Sequence, residues 1–292
     1  KTGFPELTKA QSTRYKNTPS EYLFEIDGVK FILLDRLHNG QYYVMMENSV
    51  GKRAFDTRGN GKQFDPSAQE NIAYWLNNDF LSGDYLPDTV KNKIQEGNWT
   101  TEGDGDWGNS NRTHKVGLLS YSEYIGYLGR FGLWLAEYDS WPYSWEGFWL
   151  RTLRGNNHAF ASAKNGGVDN DTGIMGKIYY FASNNTGACH VRPTFRLSAD
   201  FFKNVKVDVN TIGKKVKDTL MEVCTPQELR SIYTVSELEK LDPAIAYSYA
   251  VKNMVVADKL DASTEVSFDL VRYNEDANIE YAFIAAYKAR KL

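Results

Sequence analysis

The first fifty residues alternate between apolar runs and tight turns. Residues 22–26 and 29–35 flank Asp27-Gly28, a dipeptide that favours a two-residue hairpin turn because glycine adopts positive φ without steric cost. A second turn at His38-Asn39-Gly40 precedes the apolar run of residues 41–47. We therefore predict that the fold opens with a three-stranded meander.

Two segments then carry a helical pattern. Asp65 is a suitable N-cap and Pro66 a suitable first helical residue, and Gly83 would end the helix. The apolar residues that would share one face are Ile72, Trp75, Leu76 and Phe80. Ser120 and Glu123 have capping-box spacing and predict the start of a second, shorter helix.

Short apolar runs between glycine- and asparagine-rich turns fill residues 141–198. The runs at 147–153, 159–163, 177–183 and 191–197 predict short strands joined by long loops. Loops carried on a small sheet are where binding surfaces are usually built.

The composition changes after Leu197, where tryptophan disappears and charged residues become more frequent. Capping-box patterns begin at Thr225 and Thr234 and predict two consecutive helices. Strand-like runs follow at 247–256, 265–273 and 279–289.

These elements predict an α+β chain in three parts. Residues 1–20 are polar and without a clear period, so we expect a linker or tail. Residues 21–205 would form a loop-rich domain with short helices around a small mixed or antiparallel sheet. Residues 206–292 would form a smaller, mainly β, sandwich-like module that begins with helices.

The composition excludes several classes of function. The chain has 292 residues, 42% hydrophobic and 24% charged, as in ordinary folded proteins. Its net charge is -3 and its basic residues are scattered, so we expect no nucleic-acid partner. Its apolar runs are far shorter than the roughly 20 residues that cross a bilayer, so we expect no membrane span. Because the sequence begins at Lys1 without a methionine, we expect a processed chain with a signal peptide or further domains upstream.

The cysteines and the acidic loops leave two questions open. Cys189 and Cys224 can be two separate small apolar residues or a disulfide pair. Loops 104–111 and 169–173 alternate aspartate and asparagine, so calcium remains open, but neither loop completes an EF-hand with its distal glutamate. We otherwise predict no cofactor.

Aromatic residues make up 14% of the chain, and all 7 tryptophans lie in its central part. Sugar-binding sites stack apolar ring faces on tryptophan or tyrosine and satisfy the hydroxyls with polar side chains. The candidate ligand-binding residues of this kind are Trp141, Tyr143, Trp145, Asn156 and Asn157. The alternative is that these aromatic rings fill the core under long loops.

Two arginines complete the candidate set. Arg151 and Arg192 could bind a carboxylate or a sulfate, since a guanidinium presents paired donors. The alternative is that both make structural ion pairs or bind loop carbonyl groups.

Recognisable catalytic motifs are missing from the sequence. The four histidines accompany no nucleophile motif, and Ser120 lies in a predicted helix cap. Pairs of carboxylates for glycoside hydrolysis can be drawn from Glu47, Asp79, Asp104, Glu123 and Glu146. Their separations decide the matter, so an enzyme on carbohydrate or cell wall stays a lesser hypothesis.

Four segments carry a resemblance to a known family. They are Trp75-Leu76-Asn77, Val116-Gly117-Leu118-Leu119-Ser120 with Glu123, Trp149-Leu150-Arg151 and Val191-Arg192-Pro193-Thr194-Phe195. In this order, over residues 22–200, they resemble the bacterial domain-of-unknown-function family 6273 of surface and secreted Gram-positive proteins. The layout also resembles the C-type-lectin-like fold of formylglycine-generating enzymes. Those enzymes use a cysteine pair, whereas this domain has one cysteine, which argues against that activity.

The resemblance and the aromatic loops together lead to one main hypothesis. We expect a non-catalytic, extracellular or cell-surface recognition module that binds a glycan. The alternative is an adhesin or structural module that binds a host or cell-surface protein through a flat patch.

Overall fold

The chain is an α+β protein, and its residues divide into two compact units that meet between Thr225 and Pro226. This computed structural model describes residues 19–58, 63–101, 110–131, 147–154, 158–162, 178–182, 184, 189–247, 249–255 and 267–272.

The described elements are short. The strands are β1 (Leu23–Ile26), β2 (Val29–Arg36), β3 (Tyr42–Met46), β4 (Ile94–Gln95), β5 (Gly97–Thr101), β6 (Ser110–His114), β7 (Val116–Gly117), β8 (Gly147–Arg154), β9 (His158–Ser162), β10 (Ile178–Ala182), β11 (Cys189–His190), β12 (Thr194–Leu197), β13 (Tyr249–Val255) and β14 (Ser267–Arg272). The α-helices are α1 (Ile72–Trp75), α2 (Asp88–Lys91), α3 (Tyr121–Phe131), α4 (Phe201–Asn204), α5 (Lys214–Val223), α6 (Pro226–Ile232), α7 (Val235–Leu241) and α8 (Pro243–Ala246). A 3-10 turn covers Pro19–Tyr22, and a π-helical segment, Leu76–Phe80, continues α1.

The main sheet of the first unit confirms the predicted meander. Its order is β1-β2-β3-β12-β4, with β7 also paired to β12, and all of these pairs are antiparallel. At the first turn both central residues have positive φ, 48° at Asp27 and 81° at Gly28, as a two-residue hairpin requires. The side chains of β3 are all buried, so this strand lies at the centre of the unit.

A second sheet has the order β10-β9-β8-β11 and confirms the strands predicted near 147–153, 159–163 and 177–183. Strand β11 runs parallel to β8, and the chain continues directly into β12 of the main sheet. One continuous segment, residues 189–197, therefore connects the two sheets.

The first helix begins later than predicted. Asn71 is its N-cap and accepts a hydrogen bond from the Ala73 N–H, whereas Asp65 closes a separate turn by accepting from Ser67. The Ile72 N–H bonds to the Phe55 carbonyl, so a tertiary contact helps to place the start of the helix. Sequence spacing alone favoured Asp65 because it precedes a proline, but the cap forms at Asn71, six residues further on.

The first unit also extends further than the change in composition suggested. Residues 206–225 belong to it, so the boundary lies at Thr225 rather than near 205. Val207, Val216 and Leu220 have no exposed surface, and the Gly213 N–H donates to the Leu23 carbonyl at 2.7 Å. The lysines that raise the charge of this segment lie on its exposed side, which hides its apolar contacts from a composition argument.

The described part of the second unit contains more helix than the mainly β module that we predicted. The capping box at Thr234 is confirmed, since its side chain accepts from the Glu237 N–H while the Glu237 carboxylate accepts from the Thr234 N–H. The buried apolar residues of α6, α7 and α8 and their connections are Leu229, Tyr233, Leu238, Leu241 and Ile245. The predicted strands near 247–256 and 265–273 are confirmed as an antiparallel pair, β13 and β14, and residues 279–289 lie outside the described residues.

Within the described ranges, no helix has the length and apolar character needed to cross a membrane.

Candidate functional site

The segments that carry the family resemblance bind one another. The Asn77 side chain accepts hydrogen bonds from the N–H groups of Lys115 and Val116 at 3.0 and 2.9 Å and donates to the Val116 carbonyl at 2.8 Å. Strand β7 then pairs with β12, so Gly117 lies opposite Thr194. The first, second and fourth segments are therefore direct partners in the fold.

The third segment joins the network through Arg151. Its guanidinium binds the Glu123 carboxylate through Nη1 and Nη2, and the Nη2–Oε1 distance is 2.9 Å. It also donates to the carbonyl groups of Leu118 at 2.6 Å and Thr100 at 2.8 Å. The side chain is only 4% exposed. The observed partners of Arg151 are thus protein groups, namely the Glu123 carboxylate and the backbone carbonyl groups of Leu118 and Thr100.

Glu123 is held in its charged form. Burial alone would raise the pKa of Glu123, but the Arg151 cation and hydrogen bonds from Arg151, the Ser120 N–H and the Tyr43 hydroxyl outweigh it, so the pKa is lowered. The predicted capping box is confirmed as well, since the Glu123 N–H donates to the Ser120 hydroxyl at 3.1 Å. A general acid needs a raised pKa, so the direction at Glu123 does not favour the hydrolase hypothesis at this position.

Arg192 lies in the link between β11 and β12 and is 2% exposed. Its Nε–H donates to the Met46 carbonyl at 3.3 Å, and its guanidinium carbon lies 4.9 Å from the centre of the Phe148 ring. Both predicted arginines are therefore deeply buried in the first unit.

The remaining predicted ligand-binding residues, Trp141, Tyr143, Trp145, Asn156 and Asn157, lie outside the described residues and stay predictions. The acidic loops are described only at residues 110 and 111 of 104–111. Among the described residues, no three histidine, cysteine, aspartate or glutamate side chains are grouped to hold a metal ion. Cys189 and Cys224 are buried and are not disulfide-bonded, as the small-apolar interpretation expects.

A cleft in the first unit lies beside α1, and the sequence did not indicate it. Its volume is about 330 Å³. The side chains around it are basic, acidic, amide and aromatic, and the lining residues are Lys52, Arg53, Ala54, Thr57, Gln69, Glu70, Asn71, Ile72, Tyr74, Trp75 and Asp79. They come from two segments, 52–57 and 69–79, which the isolated bridge between Asp56 and Asn71 brings together.

Asp56 holds one wall of this cleft in place. Its carboxylate is fully buried and accepts from the Arg58 guanidinium at 2.9 and 2.5 Å and from the Asn71 amide at 3.1 Å. Burial would raise the pKa of Asp56, but the hydrogen bonds from Arg58 and Asn71 lower it overall. Because Asn71 also caps α1, the same side chain fixes both the start of the helix and this wall of the cleft.

Several polar side chains around the cleft have no hydrogen-bond or ion-pair partner among the described residues. In the part of the chain that the structure describes, no hydrogen bond or ion pair engages the Arg53 guanidinium, the Gln69 amide, the Tyr74 hydroxyl or the Asp79 carboxylate. The Arg58 guanidinium nearby, in contrast, binds Asp56. The cleft therefore offers both donors and acceptors to a ligand.

The buried part of the first unit contains a histidine that predicts a pH dependence. His114 stacks on Trp99 with ring centres 5.1 Å apart, and its Nδ1–H donates to the Val116 carbonyl at 2.9 Å. The Nε2 atom is buried and has no hydrogen-bond partner among the described residues. Burial, with a smaller contribution from the Arg151 and Arg196 cations, lowers the pKa of His114 from 6.5 to about 4.

We expect the free energy of unfolding to fall as the pH is lowered from 7.5 to 5. The unfolded state binds a proton at His114 below about pH 6.5, whereas the folded state does not until about pH 4. At pH 5 this lowers the free energy of unfolding by about 2 kcal/mol relative to its value at pH 7.5. Urea denaturation of the wild type and of His114→Phe measures it, with His38→Gln as an exposed control. Equal pH slopes in the wild type and His114→Phe would contradict this assignment.

No protein-family model, curated protein or solved structure matches the chain.

Proposed function

We propose that this chain is a non-catalytic recognition module of an extracellular or cell-surface protein, and that it binds carbohydrate in the cleft beside α1. The observation that carries the proposal is the set of uncommitted polar side chains around that cleft. Its volume of about 330 Å³ lies at the lower end of the range for small-molecule sites, roughly 300–1,000 Å³.

The side chains around the cleft have the chemistry that sugar hydroxyls require. A hydroxyl both donates and accepts hydrogen bonds, and so does the side-chain amide of Gln69. The Asp79 carboxylate accepts only and the Arg53 guanidinium donates only. Gln69 and Asp79 are exposed, so a ligand can reach them without rearrangement of the fold.

Large exposed apolar residues are few in the described ranges, as is expected of a site for a small polar ligand. In the described ranges, the large apolar residues with substantial exposure are Tyr85, Val235 and Tyr247. They come from different parts of the chain, with Tyr85 in the first unit and the other two in the second. Protein-binding surfaces instead concentrate apolar and aromatic side chains in one patch.

Membership of family 6273, the C-type-lectin-like arrangement and the surface location are part of this proposal. The contacts among the four segments that carry the family resemblance support this part of the proposal. Segments that bind one another in the fold are expected to occur together in one family. The loop residues Trp141, Tyr143 and Trp145, with Asn156 and Asn157, would add a second contact region. The second unit would act as a spacer or a further contact module.

A glycan-array screen of the intact chain, followed by calorimetric titration of the glycans that bind, tests the proposal. We expect Gln69→Ala/Asp79→Asn to weaken binding at least tenfold. A control with the same substitutions at exposed positions that do not line the cleft, Gln227→Ala/Asp84→Asn, should bind like the wild type. The variants Trp141→Ala and Trp145→Ala, with and without EDTA, test the aromatic loops and calcium separately.

Each result decides one part of the proposal. Unchanged binding by the Gln69/Asp79 variant would remove the cleft as the site. Release of new reducing ends from a bound glycan would show catalysis and overturn the non-catalytic assignment. Absence of binding to every glycan would favour the protein-binding alternative.

A further inference from the structure

The face of Trp75 beside the cleft is already covered. The guanidinium carbon of Arg53 lies 3.8 Å from the centre of the Trp75 ring, which is close to van der Waals contact. The ring itself is 7% exposed and is held by the rings of Phe80 and Tyr85, whose centres lie 5.9 and 5.6 Å away. A sugar ring therefore cannot stack on this face while Arg53 stays in place.

The contact between Arg53 and Trp75 instead presents the edge of the Arg53 guanidinium to a ligand. The group is planar and its five N–H donors point outward from its edge, where they match the two oxygens of a carboxylate. The cation–π contact with Trp75 restricts the orientation of Arg53 and leaves these donors available. No side chain in the described ranges accepts a hydrogen bond from them.

Among the described residues, no acidic side chain forms an ion pair with Arg53. The Asp56 carboxylate is bound by Arg58, and Arg58 Nη1 also lies 3.8 Å from a Glu70 oxygen. Asp56 and Glu70 thus lie against Arg58, and the Asp79 carboxylate, which also lines the cleft, forms no ion pair among the described residues. The Arg53 guanidinium likewise has no ion-pair partner among them and is available to a ligand.

We propose that the cleft selects saccharides that carry a carboxylate, and that Arg53 binds this carboxylate through its paired N–H donors. The inference rests on the proposed carbohydrate-binding function. A neutral sugar that displaces water from the guanidinium offers only uncharged acceptors in its place. A carboxylate forms charge-assisted hydrogen bonds with it, and these are roughly twice as strong as hydrogen bonds between neutral groups. The Asp79 carboxylate then accepts from the hydroxyls of the same sugar.

The test uses oligosaccharides that bear uronic or sialic acids, each compared with its carboxyl-reduced counterpart, by calorimetric titration of the intact chain. We expect the acidic form to bind at least tenfold more tightly at low salt, with the advantage decreasing as salt is raised. Arg53→Gln should abolish this preference. Arg53→Lys keeps the charge but loses the planar fork, so it should keep only part of the preference.

Arg36→Gln is the matched control, since it removes the same charge from an exposed arginine that pairs with Glu222 outside the cleft. It should leave the preference unchanged. Because Arg53 is exposed, we expect its variants to fold, and the comparison of the two ligand forms in the wild type needs no variant at all.

The outcomes separate this inference from the function on which it rests. Equal binding of the acidic and reduced forms by the wild type would overturn the carboxylate selectivity and leave carbohydrate binding intact. A preference that survives Arg53→Gln would overturn the role of Arg53. Failure of both forms to bind, together with a negative glycan screen, would overturn the proposed function itself.

Discussion

Arg151→Met is expected to lower the free energy of unfolding by about 3–5 kcal/mol, because it leaves the Glu123 carboxylate charged in a site that its partner no longer neutralises. It also removes the donors to the Leu118 and Thr100 carbonyl groups. Urea denaturation at pH 7 measures the change.

The reciprocal variants separate the ion pair from the packing around it. Glu123→Gln should be destabilising too, because the Arg151 cation stays buried at 4% exposure. Arg151→Met/Glu123→Leu should lose clearly less than the sum of the two single changes, since no unpaired charge remains. Strict additivity, or single changes below about 0.5 kcal/mol, the usual size of a surface substitution, would show that the pair does not hold the fold together.

Ending the chain at residue 205 is expected to prevent folding of the first unit, whereas a chain that ends at Thr225 should unfold in one cooperative transition. The removed segment buries Val207, Val216 and Leu220 completely. Burial of such a side chain contributes about 1.5–3 kcal/mol, so losing three of them consumes most of a typical stability of about 5–15 kcal/mol. Circular dichroism and thermal melts of residues 19–205 and 19–225 decide the matter.

A single substitution tests the same contact within the intact chain. A Cβ at Gly213 would lie 2.3 Å from the backbone oxygens of Ser20 and Glu21, and backbone atoms cannot turn aside as a side chain can. Gly213→Ala should therefore lower the melting temperature, whereas the exposed Lys215→Ala should not.

The truncation experiment has a clear contrary outcome. If residues 19–205 form a stable chain that unfolds cooperatively, the domain boundary lies near residue 205, where the change in composition suggested it.

Local patterns predicted the local parts of the fold. The turn at Asp27-Gly28 and the capping boxes at Ser120 and Thr234 each depend on a few adjacent residues, and the structure contains all three. The start of α1 was predicted too early because the Ile72 N–H bonds to Phe55, a partner that the helical pattern does not reveal.

The cleft was not predictable from the sequence for a related reason. It joins residues 52–57 to residues 69–79, and nothing in either segment indicates the other. The sequence argument instead selected Trp141 and Trp145, because they lie in a loop region with Tyr143, Asn156 and Asn157, the residue types that sugar-binding sites use. Trp75 was assigned to the core face of a helix, which its 7% exposure fits, but its contact with Arg53 is a property of the tertiary structure.

The two alternatives stated for Arg151 show what residue type alone can and cannot predict about a binding partner. A paired guanidinium fits either a ligand carboxylate or a protein carboxylate, and Glu123 lies 28 residues away in the sequence. The capping box predicted that Glu123 would face the start of α3, but not that Arg151 would reach it from β8. Only the packing of α3 beside β8 brings these two groups together.

Chemical-shift mapping of the isotope-labelled chain, titrated with a carboxylate-bearing oligosaccharide and with its reduced form, tests the central claim most directly. Saccharide binding in the cleft predicts selective shifts of the Gln69 side-chain amide, the Arg53 Nε–H and the Trp75 indole N–H, larger for the acidic form. Signals are assigned with Gln69→Ala, Arg53→Lys and single tryptophan-to-phenylalanine variants. Shifts confined to Trp141, Trp145 and Asn156, with the three cleft signals unmoved, would contradict the account and place recognition in the aromatic loops.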